Sequence, residues 1–232
     1  MPTQFLSLPG EIRNQVYRHA LVRQETIGLQ YGKCTARGII PNLLCTSRRI
    51  HREALPFLYG ENRFALLALN RVMAGEIARF PDQIGPRNGR FIESVQICHP
   101  IFRNLGDDAK LDENCVQLLS RLQRQCPNLK TLIMCPKSTD FVIRLQLAPL
   151  VPVNPSYITE SLLSFDGRLK AIPSLEEIIV QVYQDTPLLN FLRGMEPRGW
   201  RIDVLDAVSR HSDDELQDNV FGRIAPSPLR RS

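Results

Sequence analysis

The sequence contains no Cys-x-x-Cys pair: its six cysteines, Cys34, Cys45, Cys98, Cys115, Cys126 and Cys135, are scattered along 232 residues. That scatter removes the usual signature of a disulfide framework, and a chain of this length can bury a core without such staples, so the thiols are expected to be reduced. Long apolar runs are missing too. The longest notable one, Ala65 to Leu69, falls far short of the roughly 20 residues that span a bilayer. Met1 to Leu8 lacks the apolar stretch of a secretory signal, and Asn154 is followed by Pro155, which spoils it as a glycosylation acceptor. These absences point to an intracellular protein, cytoplasmic or nuclear, with no membrane partner.

Catalytic signatures are equally scarce. The four histidines, His19, His51, His99 and His211, lie far apart, with no His-Glu-x-x-His pattern and no His/Cys set at ligand spacing. There is no Gly-x-Ser-x-Gly elbow and no P-loop, and Gly28, Gly32 and Gly38 do not have a dinucleotide-binding arrangement. Cys98 and His99 are the sole adjacent Cys/His pair. A nucleophilic cysteine needs its base beside it in space, so the expected reading is a core cysteine at a strand end. The acidic pairs Asp107-Asp108 and Asp213-Asp214 sit in polar surroundings and read as solvated loop residues. No catalytic residue, metal ligand or cofactor is therefore expected, and the chain is read as a non-enzyme.

What is present is an ordinary globular composition, 43% hydrophobic and 23% charged, which implies that most of the chain folds. The net charge of +5 allows acidic partners, but the excess is spread along the chain rather than gathered in one tract. Leu8-Pro9-Gly10-Glu11 opens a first helix, with Ser7 as its cap and Ile12, Val16, Ala20 and Leu21 as one apolar stripe. Arg13, Asn14 and Arg18 fall away from that stripe. A polar, glycine-containing stretch, Arg23 to Gly38, interrupts the pattern. A second helix is predicted from about Asn42 to Leu55, broken or kinked by Pro56, with Gly60 closing a short extra turn. Asn62 to Leu69 reads as a strand, and Arg71 to Phe80 as a helix capped by Asn70 and stopped by Pro81.

From there the pattern changes. Short apolar strands at Phe91 to Ile97, Leu129 to Met134, Leu175 to Tyr183 and Trp200 to Leu205 alternate with amphipathic helices at Asp112 to Gln125, Ser156 to Ala171 and Pro187 to Met195. Two strands follow similar phrases, Cys126-Pro127-Asn128-Leu129-Lys130-Thr131-Leu132 and Ala171-Ile172-Pro173-Ser174-Leu175-Glu176-Glu177-Ile178, where proline ends a helix and Leu-x-x-Leu/Ile begins a strand. Units of this kind, at a period of roughly 35 to 45 residues, bury their apolar faces by stacking strands into a parallel, curved sheet backed by helices. The expected fold class is α/β: a helical module over residues 1–64, a strand-helix array over 65–205, and a mobile tail over 206–232.

Three stretches carry a resemblance. These are Phe5-Leu6-Ser7-Leu8-Pro9-Gly10-Glu11-Ile12-Arg13-Asn14-Gln15-Val16-Tyr17, then Leu43-Leu44-Cys45-Thr46-Ser47-Arg48-Arg49-Ile50, then Glu53-Ala54-Leu55-Pro56-Phe57-Leu58-Tyr59-Gly60-Glu61-Asn62-Arg63-Phe64. Together with Ile84-Gly85-Pro86-Arg87-Asn88-Gly89-Arg90-Phe91, they resemble a large family of filamentous-fungal F-box-like, or two-EXR, domain proteins. The resemblance covers about the first hundred residues. It implies an F-box-like helical module that docks on the Skp1 adaptor of a cullin ubiquitin ligase, while a leucine-rich-repeat-like array holds an unknown substrate protein. By position, Leu8, Pro9, Ile12, Val16 and Leu21 match the first F-box helices, and Leu44, Cys45 and Ile50 match its later segment. The chain differs from an ordinary F-box in the Val22 to Pro41 segment, where the F-box has a short turn, and in Ile50, where it has tryptophan.

The stripe Ile12, Val16, Ala20 and Leu21 has two readings, as core against Leu43, Ile50 and Ala54 or as a docking surface; Leu8 and Pro9, at the helix start, are the better contact residues. Arg48, Arg49, His51 and Arg52 form the densest basic cluster. It is a solvated helix surface, a source of ion pairs to Glu11 or Glu53, or a surface that meets phosphates, which keeps nucleic acid or chromatin as an alternative partner. Arg121, Arg124 and Lys130 are read in the same way. Self-association through the same scaffold is the remaining alternative.

Overall fold

The computed structural model describes residues 5–30, 33–34, 39–67, 71–103, 110–150 and 156–206. Helix α1 (Gly10–Leu21) has Pro9, not Ser7, at its N-cap position, and no side chain caps it. Glu11 in its first turn and Arg18 and His19 in its last complement the helix dipole. The following stretch is not merely an interruption. It contains β1 (Ile27–Gln30) and β2 (Lys33–Cys34), which pair antiparallel.

Helix α2 (Arg48–Gly60) corrects two expectations. A 3₁₀ turn, Pro41–Cys45, occupies the predicted helix start, and the helix proper opens at Ser47, whose hydroxyl accepts the Ile50 amide at 3.1 Å. Pro56 lies inside the helix and does not end it. Proline removes one amide, but the carbonyl it would have engaged belongs to Arg52, an exposed residue, where water can take its place. Asn62 then closes both helices. Its buried amide group donates to the Leu21 and Leu58 carbonyls, each at 2.8 Å, and its oxygen accepts the Arg23 amide at 2.8 Å. One side chain thereby satisfies groups that the ends of α1 and α2 would leave open.

The chain continues through β3 (Phe64–Leu66), α3 (Arg71–Ala78) and α4 (Phe80–Gly89). Pro81 opens α4 rather than stopping the helix before it, because the first turn has no partner for the amide that proline lacks. The expected cap Asn70 lies outside the described residues. α4 bends at Gly85, whose φ of 70° suits glycine. Gly89 allows close approach to α5: a Cβ there would stand 2.2 Å from the Gln125 carbonyl oxygen.

Next come β4 (Ser94–Ile97), the short hairpin strands β5 (Phe102–Arg103) and β6 (Lys110–Leu111), α5 (Glu113–Gln125) and β7 (Thr131–Met134). Asp112 caps α5 by accepting the Asn114 amide at 3.0 Å. Helix α6 (Pro136–Val142) runs on into a π-helical turn, Ile143–Leu147, neither of which the sequence pattern announces. The last elements are α7 (Ser156–Lys170), β8 (Glu177–Tyr183), α8 (Leu189–Arg193) and β9 (Trp200–Leu205).

The result is a mixed α/β structure around a mostly parallel sheet. Its order is β2-β1-β3-β4-β7-β8-β9, and every pair after β2-β1 is parallel. Setting aside β2 and the β5-β6 hairpin, each strand from β1 onward lies beside the one before it in sequence. The expected boundary between residues 64 and 65 falls inside β3, and β1, from the first segment, pairs with β3 through Ile27 opposite Phe64.

Alternation along each strand sorts the residues into two faces. Ile27, Phe64, Leu66, Val95, Ile97, Leu132, Met134, Ile178, Val180 and Val182 join the main core with Ile77 and Ala78 of α3, Leu118 and Leu122 of α5, and Phe165 and Leu169 of α7. A second, smaller core lies between α1 and α2, built from Tyr17, Ala20, Leu21, Ile50, Ala54 and Phe57.

Candidate interaction surface

The first helix is rotated relative to the expectation drawn from its apolar stripe. Arg13, Tyr17, Ala20 and Leu21 are its buried residues, whereas Ile12 and Val16 are 42% and 40% exposed. The reason lies in Glu53 of α2. Arg13 donates to both oxygens of this carboxylate, from Nε at 2.8 Å and Nη2 at 3.0 Å, and also to the Leu8 carbonyl. The Tyr17 hydroxyl donates to Glu53 at 2.9 Å, and Arg49 Nε does so at 2.9 Å. A planar fork matched to a carboxylate is among the stronger polar contacts, so an arginine can enter a helix interface that spacing alone would assign to isoleucine. The Arg13 and Arg49 hydrogen bonds hold the Glu53 carboxyl down at about 2, while burial and Glu53 itself push the Tyr17 hydroxyl up.

Of the residues expected to contact an adaptor, Pro9, Ile12 and Val16 are exposed, and Leu8 and Leu44 are half-buried. Leu21 and Ile50 belong to the small core and face inward, so they can support the surface but not touch a partner. The basic cluster separates similarly. Arg49 is committed to Glu53, and His51 Nδ1 lies 3.1 Å from the Leu44 carbonyl. Arg48 and Arg52 remain exposed on one side of α2. Arg121 and Arg124 both pair with Asp82, at 2.8 Å and 3.0 Å, and Lys130 pairs with Glu93 at 3.2 Å. Arg18 grips Glu61 through two hydrogen bonds, 2.7 Å and 2.8 Å, with its guanidinium over the Phe57 ring.

The sheet face turned from the main core carries Ile133 and Ile179, buried at 4% and 5% exposure among polar neighbours. Register places Gln96, Ile133, Ile179 and Arg201 in one row, and Ser94, Thr131 and Glu177 in the row beside it. Arg201 pairs with Glu177 and, at 3.3 Å, with Asp203. The loop side chains at matching positions of successive units also reach back to the preceding unit: Asn128 donates to the Arg90 carbonyl at 2.7 Å and Ser174 to the Leu129 carbonyl at 2.9 Å.

Asp166 and His99 are among the buried polar groups that the sequence does not announce. Asp166, within α7, is fully buried; burial alone would raise its pKa, but hydrogen bonds from Lys170, Trp200 and Arg198 outweigh this and lower it. Trp200 Nε1 donates at 2.9 Å and Arg198 Nε at 2.7 Å, tying α7 to the start of β9. Only Lys170, four residues on in the same helix, was a readable signal. His99 is 1% exposed between Phe102 and Phe165. Its Nδ1 lies 3.2 Å from the Pro100 carbonyl, Nε2 finds no hydrogen-bond partner among the described residues, and burial pushes its pKa down to about 4. Adjacent residues of an extended chain alternate sides, so the half-buried Cys98 points away from this ring. Burial pushes the Cys115 and Cys126 thiols up to about 12, which keeps them protonated. Among the described residues no three His, Cys, Asp or Glu side chains gather as a metal site, and no helix is long and apolar enough to cross a membrane.

Comparison of the chain with family models, with curated proteins and with solved structures finds no match.

Proposed function

We propose that the protein is an interaction adaptor: α1 presents a docking surface to a Skp1-type partner, in the manner of an F-box-like module, and the parallel sheet holds a second protein in the manner of a leucine-rich-repeat-like body. One observation carries this reading. α1 buries an arginine and leaves Ile12 and Val16, 42% and 40% exposed, on its outer side beside Pro9, so apolar side chains are displayed where a soluble monomer gains nothing from them. The sequential strand order agrees, since scaffolds that add strands one after another bind through the long face so produced.

The test is capture of purified Skp1 by the full chain. Ile12→Asp with Val16→Asp is expected to lower the affinity at least tenfold, a change of about 1.4 kcal/mol, without altering the far-ultraviolet circular dichroism spectrum. Failure of the wild-type chain to bind Skp1 removes the ligase role.

The exposed pair Arg48 and Arg52 favours nucleic acid as a second reading. It requires affinity for duplex DNA or RNA that declines linearly on a log-log scale with salt, and a shallower slope after Arg48→Ala with Arg52→Ala.

A further inference from the structure

We infer that Cys98 and Cys135 form a reversible disulfide switch across the carboxyl ends of β4 and β7. Strand pairing sets them side by side. Gln96 lies opposite Ile133 and Ile97 opposite Met134, and the Cys135 amide donates to the Ile97 carbonyl at 3.0 Å. That bond closes the last pair of the ladder, and Cys98 and Cys135 are the residues that leave the two strands side by side immediately after it. Alternation puts both on the face of Gln96 and Ile133, away from the core that contains Ile97 and Met134. A second contact points to the same proximity. Ser138 Oγ accepts the His99 amide at 2.8 Å and the Cys135 thiol at 3.1 Å, so one hydroxyl links the Cys135 sulfur to the backbone immediately after Cys98.

Neighbouring strands run about 4.8 Å apart, inside the window of about 4.4 to 6.8 Å between Cα atoms that a disulfide accepts. Parallel neighbours project their Cβ atoms alongside one another rather than toward each other. A bond between them is therefore strained, and strained disulfides are the easily reduced, regulatory ones. Access follows burial: Cys98 is half-buried, within reach of a small oxidant, and Cys135 is buried behind it.

The oxidant is a small organic disulfide such as oxidised glutathione. Cys98, having given its proton to solvent, attacks one sulfur of the oxidant; that S–S bond breaks and the departing thiolate takes up a proton. Cys135 then loses its proton and attacks Cys98 Sγ, which breaks the mixed disulfide and releases the second thiol. Two cysteines lose two electrons, and one disulfide becomes two thiols. The new bond ties the segment after β4, which includes His99, to the start of α6.

The full chain carrying Cys34→Ser and Cys45→Ser is equilibrated at neutral pH with mixtures of reduced and oxidised glutathione, alkylated, and mapped by mass spectrometry. The expected product joins Cys98 to Cys135 with loss of two hydrogens and reverts in reduced glutathione. Adding Cys135→Ser is expected to leave a lasting Cys98–glutathione adduct instead. With Cys135 present and the circular dichroism signal native, recovery of Cys98 as a thiol or as a glutathione adduct overturns the proposal. A Cys98–Cys135 link that forms only in denaturant does so as well.

Discussion

Arg13 is a charged residue placed where the helix period calls for an apolar one, and its charge is met by one carboxylate, Glu53. Glu53→Gln is expected to destabilise the fold by about 2 to 3 kcal/mol, somewhat below the cost of stripping a fully buried ion of its partner, because Glu53 retains some solvent contact. Urea unfolding checks this. Replacing the pair together, Arg13→Met with Glu53→Leu, is expected to recover most of the loss, since no buried charge is then left alone. Glu53 and His99 are among the groups that make the fold acid-sensitive, together with Asp166, whose carboxyl is also held below its ordinary value. Glu53 is held at about 2 in the fold against 4.5 ordinarily, so its stabilisation is complete above pH 4.5 and disappears as the pH falls toward 2. His99 is held at about 4 against 6.5, so the unfolded chain takes up a proton first, and stability declines as the pH falls from 6.5 to 4. The histidine contribution is on the order of 3 kcal/mol. His99→Leu is expected to flatten the urea midpoint between pH 6.5 and 4 while leaving the loss at lower pH in place.

Helix α4 depends on Gly89 for its distance from α5. Gly89→Ala is expected to cost about 3 kcal/mol or more, because the added carbon meets a backbone carbonyl that cannot rotate away. Asn62→Ala, which leaves the carbonyls of Leu21 and Leu58 without their donor, is expected to cost about 2 to 3 kcal/mol. Thermal melts check both. The elements that local chemistry marks could be read from sequence. α5 starts after the Asp112 cap, α7 and α5 stop before Pro173 and Pro127, and β9 spans Trp200–Leu205 as its pattern indicates. The elements that a distant partner decides could not. β1 exists because β3 offers it a ladder, the inward face of α1 is chosen by Glu53, and Pro56 stays helical because the turns on both sides of it are packed. The same division runs through the proposed docking residues. Periodicity found Ile12 and Val16 but could not tell their side of the helix from that of Leu21, which only the contacts with α2 reveal.

At the scale of the molecule, two cores share one covalent and hydrogen-bonded frame. Ile27 enters the main core from a segment that sequence alone assigns to the helical module, and Ile39 touches both cores. Unfolding is therefore expected to be a single event. Trp200, the one tryptophan, lies in the main core and reports its loss by fluorescence, while far-ultraviolet circular dichroism reports α1 and α2 as well; the two urea curves are expected to coincide. A separate early change in the circular dichroism trace would mean that the helical head opens on its own. The order of the strands has a consequence for synthesis. Because β1, β3, β4, β7, β8 and β9 stand in the order in which they are translated, a polypeptide emerging from the ribosome never waits for a distant segment to complete a strand pair. Each newly exposed strand finds its neighbour already in place, and the growing edge moves forward with the nascent chain.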